Sequence, residues 1–175
     1  RTKIVSFTHV SNALGTVLPV RALADRAHAV GAVVFVDGAQ GAVHEHIDVE
    51  ALGADFYAWS GHKVYGPTGI GVLYGKEALL DAMPPYQGGG DMIDQCTFEG
   101  TTWNALPYKF EAGTPHIAGV IGLGAALEYM MGFDREAVRA HEADVLHYAT
   151  ERVSAIDGIR LVGTAPNKSA VVSFV

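Results

Sequence analysis

Cysteine is nearly missing from this sequence: Cys96 stands alone, so no internal disulfide can form and a disulfide-stapled secreted scaffold is excluded. Basic runs are missing too. With a net charge of -7 and no cluster of lysines and arginines, the chain offers nucleic acid no electrostatic footprint. No apolar stretch reaches the roughly 18 residues that a bilayer-spanning helix needs, and the N-terminal residues lack the layout of a secretory signal. The expectation is a cytoplasmic protein with neither nucleic acid nor membrane as a partner. Two glycine clusters fail as nucleotide loops. Gly88-Gly89-Gly90 has no Lys-Ser/Thr after it, and Gly122-Leu123-Gly124 follows no strand. An initiator methionine is absent and the last apolar run, residues 171–175, stops without a turn, so the chain reads as an internal fragment.

What is present is a folded chain. At 175 residues and 49% apolar composition, it is long enough for one domain and part of a second, and too apolar to be disordered. Residues 4–7, 33–36 and 56–59 are short apolar runs of the kind found in buried parallel strands. Between the first two, Pro19 suits a helix start, Val20, Leu23, Ala24, Ala27 and Val30 mark one face, and Gly31 supplies the stop. A short helical turn over residues 49–52, closed by Gly53, separates the second run from the third. Residues 70–74 form a fourth strand reached by too short a connection for a crossover, hence antiparallel.

Beyond the glycine triplet, residues 91–103 are polar and turn-rich, which predicts a hairpin. Long helices follow over residues 116–131 and 135–156. The first tolerates Gly119, Gly122 and Gly124, which predicts close packing; the second carries Val138, Val145, Leu146, Ala149, Val153 and Ile156 on one stripe. Residues 160–162 and 170–175 are strands of a smaller unit. The fold class is therefore α/β, a mostly parallel sheet with helices on both faces, followed by the start of a smaller α+β domain. The expected division is 1–131 and 132–175.

Ligands of a parallel sheet bind beyond the carboxyl ends of its strands, where the connecting loops converge. Asn12 follows the first strand, Asp37 and Gln40 the second, and Ser60, His62 and Lys63 the third. Nearly every chemically capable side chain thus lands on one edge. A lysine and a carboxylate on adjacent strand ends are what pyridoxal phosphate requires. The lysine must offer a neutral amine to the aldehyde and then act as a base, although a lysine in water holds its proton to about pH 10.4. The carboxylate must keep the pyridine nitrogen protonated so that the ring can draw in electrons. At about 4 Å and an effective dielectric near 20, such a pair is worth up to roughly 4 kcal/mol.

These motifs have a family resemblance. Ser60-Gly61-His62-Lys63, running on through Val64-Tyr65-Gly66-Pro67-Thr68-Gly69-Ile70-Gly71, resembles the lysine motif of class V aminotransferases, which are fold type I pyridoxal phosphate enzymes. Val36-Asp37-Gly38-Ala39-Gln40 is similar to their pyridine-nitrogen strand, and His9-Val10-Ser11-Asn12 with Gly15-Thr16 to the loop before it. Gly88-Gly89-Gly90-Asp91-Met92-Ile93, Glu99-Gly100-Thr101-Thr102-Trp103 and Phe110-Glu111-Ala112-Gly113-Thr114-Pro115 narrow the resemblance to Suf-type cysteine desulfurases and the related selenocysteine lyases.

The resemblance implies a set of roles. Lys63 is the catalytic residue and holds the cofactor as a Schiff base, and Asp37 pairs with the pyridine nitrogen. Gln40 and Asn12 bond the ring hydroxyl or the substrate side. Ser60 and His62 hold the phosphate, joined by Thr114 from the partner subunit of a homodimer. The implied reaction takes sulfur from L-cysteine, or selenium from L-selenocysteine, leaving alanine. Sulfur remains as a persulfide on an enzyme cysteine that the resemblance places beyond Val175, for delivery to an acceptor protein in iron–sulfur cluster assembly.

Plainer roles exist for the same residues. Asp37 suits an N-cap, Gln40, Asn12 and Thr114 suit loop backbone, and His62 suits a structural hydrogen bond. His44-Glu45-His46 with Asp48 has a zinc-like spacing but no second ligand pair, so no metal is assigned. Cys96 reads as an inert hairpin residue. The competing hypothesis from a different class is a noncatalytic, scaffold-like module that keeps the fold and does no chemistry.

Overall fold

The computed structural model describes residues 1–175. Its centre is a four-stranded sheet of β1 (Ile4–Thr8), β2 (Val33–Asp37), β3 (Phe56–Ser60) and β4 (Gly71–Gly75), lying in that order. The first three are parallel and β4 is antiparallel to β3, as the short β3–β4 connection requires. Register is in step: Thr8 lies opposite Asp37 and Asp37 opposite Ala58, so the strand ends form one edge.

The crossover from β1 to β2 is α1 (Val20–His28), which buries Val20, Ala24 and Ala27 against Val34, Val36 and Tyr57. Each buried valine contributes roughly 1.5–3 kcal/mol by leaving water. Val30, expected on this face, is instead 69% exposed. The helix ends at His28, and Gly31 at φ +72° turns the chain so that Ala32 donates back to the Ala27 carbonyl. Between β2 and β3 lie α2 (Gly41–His44) and α3 (Val49–Leu52). The second is capped by Asp48, which accepts from the Glu50 and Ala51 amides, and is closed by Gly53 in the left-handed region.

After β4 comes α4 (Glu77–Ala82), then the expected hairpin of β5 (Ile93–Cys96) and β6 (Thr101–Trp103). The long helices are α5 (Ile117–Met131) and α6 (Arg135–Ser154), and a two-stranded pair, β7 (Leu161–Val162) and β8 (Ser173–Phe174), ends the chain. Neither α5 nor α6 alone is long and apolar enough to cross a membrane.

A small cluster of Val64, Leu123 and Met130 joins α5 to the turn after β3, and Trp59 touches both this cluster and the main core. Close approach explains Gly122, where an added Cβ would meet Pro67 at 3.3 Å; at Gly124 nothing lies within 4 Å. The α6 stripe is not buried. Val145 is 50% and Ile156 56% exposed, because strands of two residues each cannot cover a twenty-residue helix.

The terminal segment folds back on the loops that follow β1 and β2. Lys168 bridges Thr16, and the Ser169 amide donates to Gly15 O at 2.8 Å. Arg135 donates to the carbonyls of Val43 and Glu45, and His44 Nδ1 lies 3.0 Å from Glu142.

Candidate active site at the carboxyl edge of the sheet

Six of the seven expected site residues follow the carboxyl ends of β1, β2 and β3. Asn12 lies in the turn after β1, closed by the Ser11 amide donating to Thr16 O at 2.9 Å. Asp37 is the last residue of β2, and Gln40 immediately precedes α2. Ser60 ends β3, and His62 and Lys63 belong to a single 3₁₀ turn, Gly61–Lys63, that follows without a break. That turn is held by Gly61 N–H to Ile70 O and by Val64 and Gly66 N–H to Gly61 O. Tyr65 adopts φ 63°, a left-handed conformation costing a non-glycine residue about 1–2 kcal/mol, and Val64 beside it is fully buried.

Thr114 is the seventh. It belongs to the segment ahead of α5, where the Gly113 amide donates to Gly90 O at 2.9 Å. Its neighbours Gly113 and Pro115, with Asp91, Asn104, Tyr108 and Glu111, line a cleft of about 410 Å³. Within this chain Thr114 does not join the strand-end group.

The helix-capping role of Asp37 is not realised. Asp37 does not cap α2: Gln40 is in the capping position and gives no side-chain bond, while Asp37 Oδ1 accepts from Ala39 N–H at 2.9 Å within its own turn. That bond orients the carboxylate and leaves Oδ2 available. Lys76, Lys109 and Lys168 spend their ammonium groups on Asp55 or on backbone carbonyls, whereas Lys63 makes no such bond. The side chains of Asn12, Gln40, Ser60 and His62 likewise satisfy no group of the chain. An amine, one carboxylate oxygen, two carboxamides, an imidazole and a hydroxyl therefore stand unspent on one edge. That donor set fits an anionic, aldehyde-bearing heteroaromatic ligand.

Two residues of the site region were not anticipated. His9, 5% exposed, and Tyr57, 1% exposed, lie beneath the turn that carries Asp37, with His9 Nδ1 and the Tyr57 hydroxyl 3.1 Å apart. Burial lowers the pKa of His9. Burial, then the carboxylates of Asp37 and Glu45, raise that of Tyr57 well above the ordinary phenol value. Both are neutral at physiological pH. The signal in sequence was the pair Gly38 and Gly41, the first forced to be glycine by Tyr57 and the second by both rings: a Cβ at 38 would overlap the Tyr57 ring, and one at 41 would come within 2.6 Å of its hydroxyl. His44, from the zinc-like triplet, is engaged with Glu142 instead.

A mixed, mostly parallel sheet bearing a lysine turn after its third strand defines a class. The chain belongs to the class V aminotransferase family, whose pattern it matches over residues 1–175. It is 56% identical over 175 residues to a cysteine desulfurase of Synechococcus elongatus, covering all of this chain and 28% of that protein. Among solved structures it resembles the cysteine desulfurase CsdA of Escherichia coli, with a TM-score of 0.93 at 44% identity, over 100% of this chain and 43% of that one. It also resembles a C-DES mutant with glycine covalently linked to its PLP cofactor, with a TM-score of 0.86 at 26% identity, over 99% of this chain and 47% of that one. The chain therefore spans less than half the length of each of these relatives.

Proposed function

We propose that the full-length protein is a pyridoxal-phosphate-dependent cysteine desulfurase, and that residues 1–131 are most of its cofactor-binding domain and 132–175 the start of a smaller one. The observation that carries this reading is the gathering of Lys63, the free Oδ2 of Asp37 and the unspent side chains of Asn12, Gln40, Ser60 and His62 on one sheet edge. The desulfurase relatives support this reaction among those of the family.

Pyridoxal phosphate supplies an aldehyde that condenses with amines and a ring that withdraws electrons from the substrate's α-carbon. The protein's part is positioning and proton handling. Lys63, fixed by the 3₁₀ turn, would hold the cofactor through its amine and would serve as the base for the substrate's α-proton. Asp37, oriented by Ala39 N–H, would face the ring nitrogen and keep it protonated. Gln40 and Asn12 orient the ring hydroxyl and the substrate, and Ser60 and His62 bind the phosphate. Thr114 of a second subunit completes the phosphate site. L-cysteine gives up its sulfur to an enzyme cysteine as a persulfide and leaves as L-alanine. A cytoplasmic homodimer then passes the sulfur to an acceptor protein for iron–sulfur cluster assembly.

The test is to supply full-length protein with pyridoxal phosphate and L-cysteine, and to measure alanine and bound sulfur. Alanine formation at a rate that depends on Lys63 supports the proposal. Turnover of L-selenocysteine alone assigns a selenocysteine lyase. A protein that never turns yellow with cofactor is the scaffold-like module.

A further inference from the structure

We infer that His9 and Tyr57 are positioning residues, a hydrogen-bonded pair that forms the floor on which the turn carrying Asp37 and Gln40 rests. The inference rests on the cofactor reading of that turn, and deepens it.

Four observations lead there. The two rings are buried and meet edge-on, with centroids 6.1 Å apart and an interplanar angle of 86°. They come from different strands: His9 directly follows β1, and Tyr57 lies within β3, so the pair ties together the two neighbours of β2. The backbone repeats the tie. His9 N–H donates to Asp37 O at 2.8 Å, and Gly38 N–H donates to Ala58 O at 2.8 Å, which holds the turn from both sides at its first residues. Finally, Gly38 and Gly41 seat the turn directly on the rings. A Cβ at position 41 would come within 2.6 Å of the Tyr57 hydroxyl and 2.7 Å of His9 Nδ1.

The chemistry of the floor matters as much as its shape. The Asp37 carboxylate is held by Ala39 N–H, a group within the turn, so any shift of the turn moves the carboxylate with it. A displacement of about 1 Å in a catalytic constellation is enough to cost on the order of 100-fold in rate. A cation in this position would compete with the ring nitrogen for Asp37, and a phenolate would repel it. A neutral phenol–imidazole pair does neither. Removing the phenol oxygen leaves the buried Nδ1 without a partner, which the structure relieves by letting the turn move.

The experiment uses the full-length protein in Tyr57→Phe and His9→Asn forms; asparagine keeps a polar atom where Nδ1 lies. In cofactor-free protein, amide hydrogen exchange at Gly38, Ala39 and Ala42 should quicken about tenfold in Tyr57→Phe, the cost of one unmet buried hydrogen bond. Val34 and Val36 amides should keep their wild-type rates, and His9→Asn should stay within about threefold of wild type at every site. With pyridoxal phosphate bound, the pH profile of the cofactor's visible absorption should shift in Tyr57→Phe and not in His9→Asn. Unchanged exchange of the turn in Tyr57→Phe overturns the inference, and so does equal acceleration throughout the sheet. Should wild-type protein take up no pyridoxal phosphate, the functional reading fails while the exchange measurement still decides the role of the pair.

Discussion

Lys76 Nζ lies 2.6 Å from Asp55 Oδ1, pinning the start of β3 to the residue that follows β4. The other carboxylate oxygen accepts from Val34 N–H and lies against His28 Nε2, each at 2.8 Å, so one buried side chain joins α1, β2, β3 and β4. Burial alone would raise the pKa of Asp55, but bonds from Lys76, Val34 and His28 more than offset it and hold the carboxyl below its ordinary range.

Asp55→Asn should therefore cost about 2 kcal/mol at neutral pH, less than a fully buried pair because Lys76 is partly exposed and screened. The pH dependence has a definite sign. A depressed carboxylate pKa stabilises the fold above the ordinary aspartate value and loses that contribution as pH falls through the folded value. His9, held neutral by burial, adds a separate limb: below about pH 6.5 the unfolded chain takes up a proton that the folded chain refuses, and stability falls. Urea denaturation between pH 7 and pH 3 should show both limbs in wild type. The lower one should be missing in Asp55→Asn and the upper one in His9→Asn.

Lys63→Ala in the full-length protein should abolish the visible absorption of covalently held cofactor and all desulfurase turnover. Asp37→Ala should retain some cofactor and lose about three orders of magnitude in rate, the equivalent of roughly 4 kcal/mol of ring-nitrogen pairing. Absorption spectra and alanine assays on the two variants check this. Turnover at the wild-type rate in Lys63→Ala would show that the assignment is wrong.

Much of this site was legible because its residues follow strand signals directly, and a parallel sheet gathers strand ends whatever the tertiary detail. The three parallel strands, the antiparallel β4 and the 91–103 hairpin were legible for the same reason: short apolar runs punctuated by glycine and turn residues. The four-residue α2 and six-residue α4 are too short to show a helical period, and both went unread. The terminal strands were read as longer than they are: pairing is confined to Leu161–Val162 and Ser173–Phe174, while just ahead of the last strand Lys168 bridges Thr16 and the Ser169 amide donates to Gly15 O. His9 and Tyr57 were invisible for another reason. Their role depends on two strands and a turn meeting in space, and only the spacing of Gly38 and Gly41 carries a trace of it in sequence.

Sedimentation of the full-length protein should give a homodimer in which residues 91–114 approach the neighbouring active site. Phe98, at the tip of the hairpin, is 109% exposed, and Tyr86 just before it in the chain is 91% exposed. Aromatic side chains so placed gain most by burial against a second subunit. Phe98→Asp should weaken the dimer by roughly 30-fold, a typical loss for one interface anchor. A wild-type monomer at micromolar concentration would refute the arrangement.

Cys96→Ser should leave sulfur transfer unchanged. A persulfide acceptor has to reach the substrate sulfur above Lys63, and its thiolate needs a nearby cation or a helix N-terminus. Cys96 has neither in its local structure. It is an exposed residue of β5, in a two-stranded sheet separate from the sheet whose edge carries Lys63. Its sulfur accepts only from the Thr101 hydroxyl, at 3.7 Å across the hairpin. The flanking charges in sequence, Asp94 and Glu99, are both acidic. On the proposed desulfurase reading the acceptor is expected to be a different cysteine, and a single turnover separates the two possibilities. Alkylation followed by peptide mapping should find the added sulfur on a cysteine outside residues 1–175, in wild type and in Cys96→Ser alike. A persulfide trapped on Cys96, with turnover lost in the serine variant, would instead make the hairpin part of the sulfur path and bring its tip to the active site.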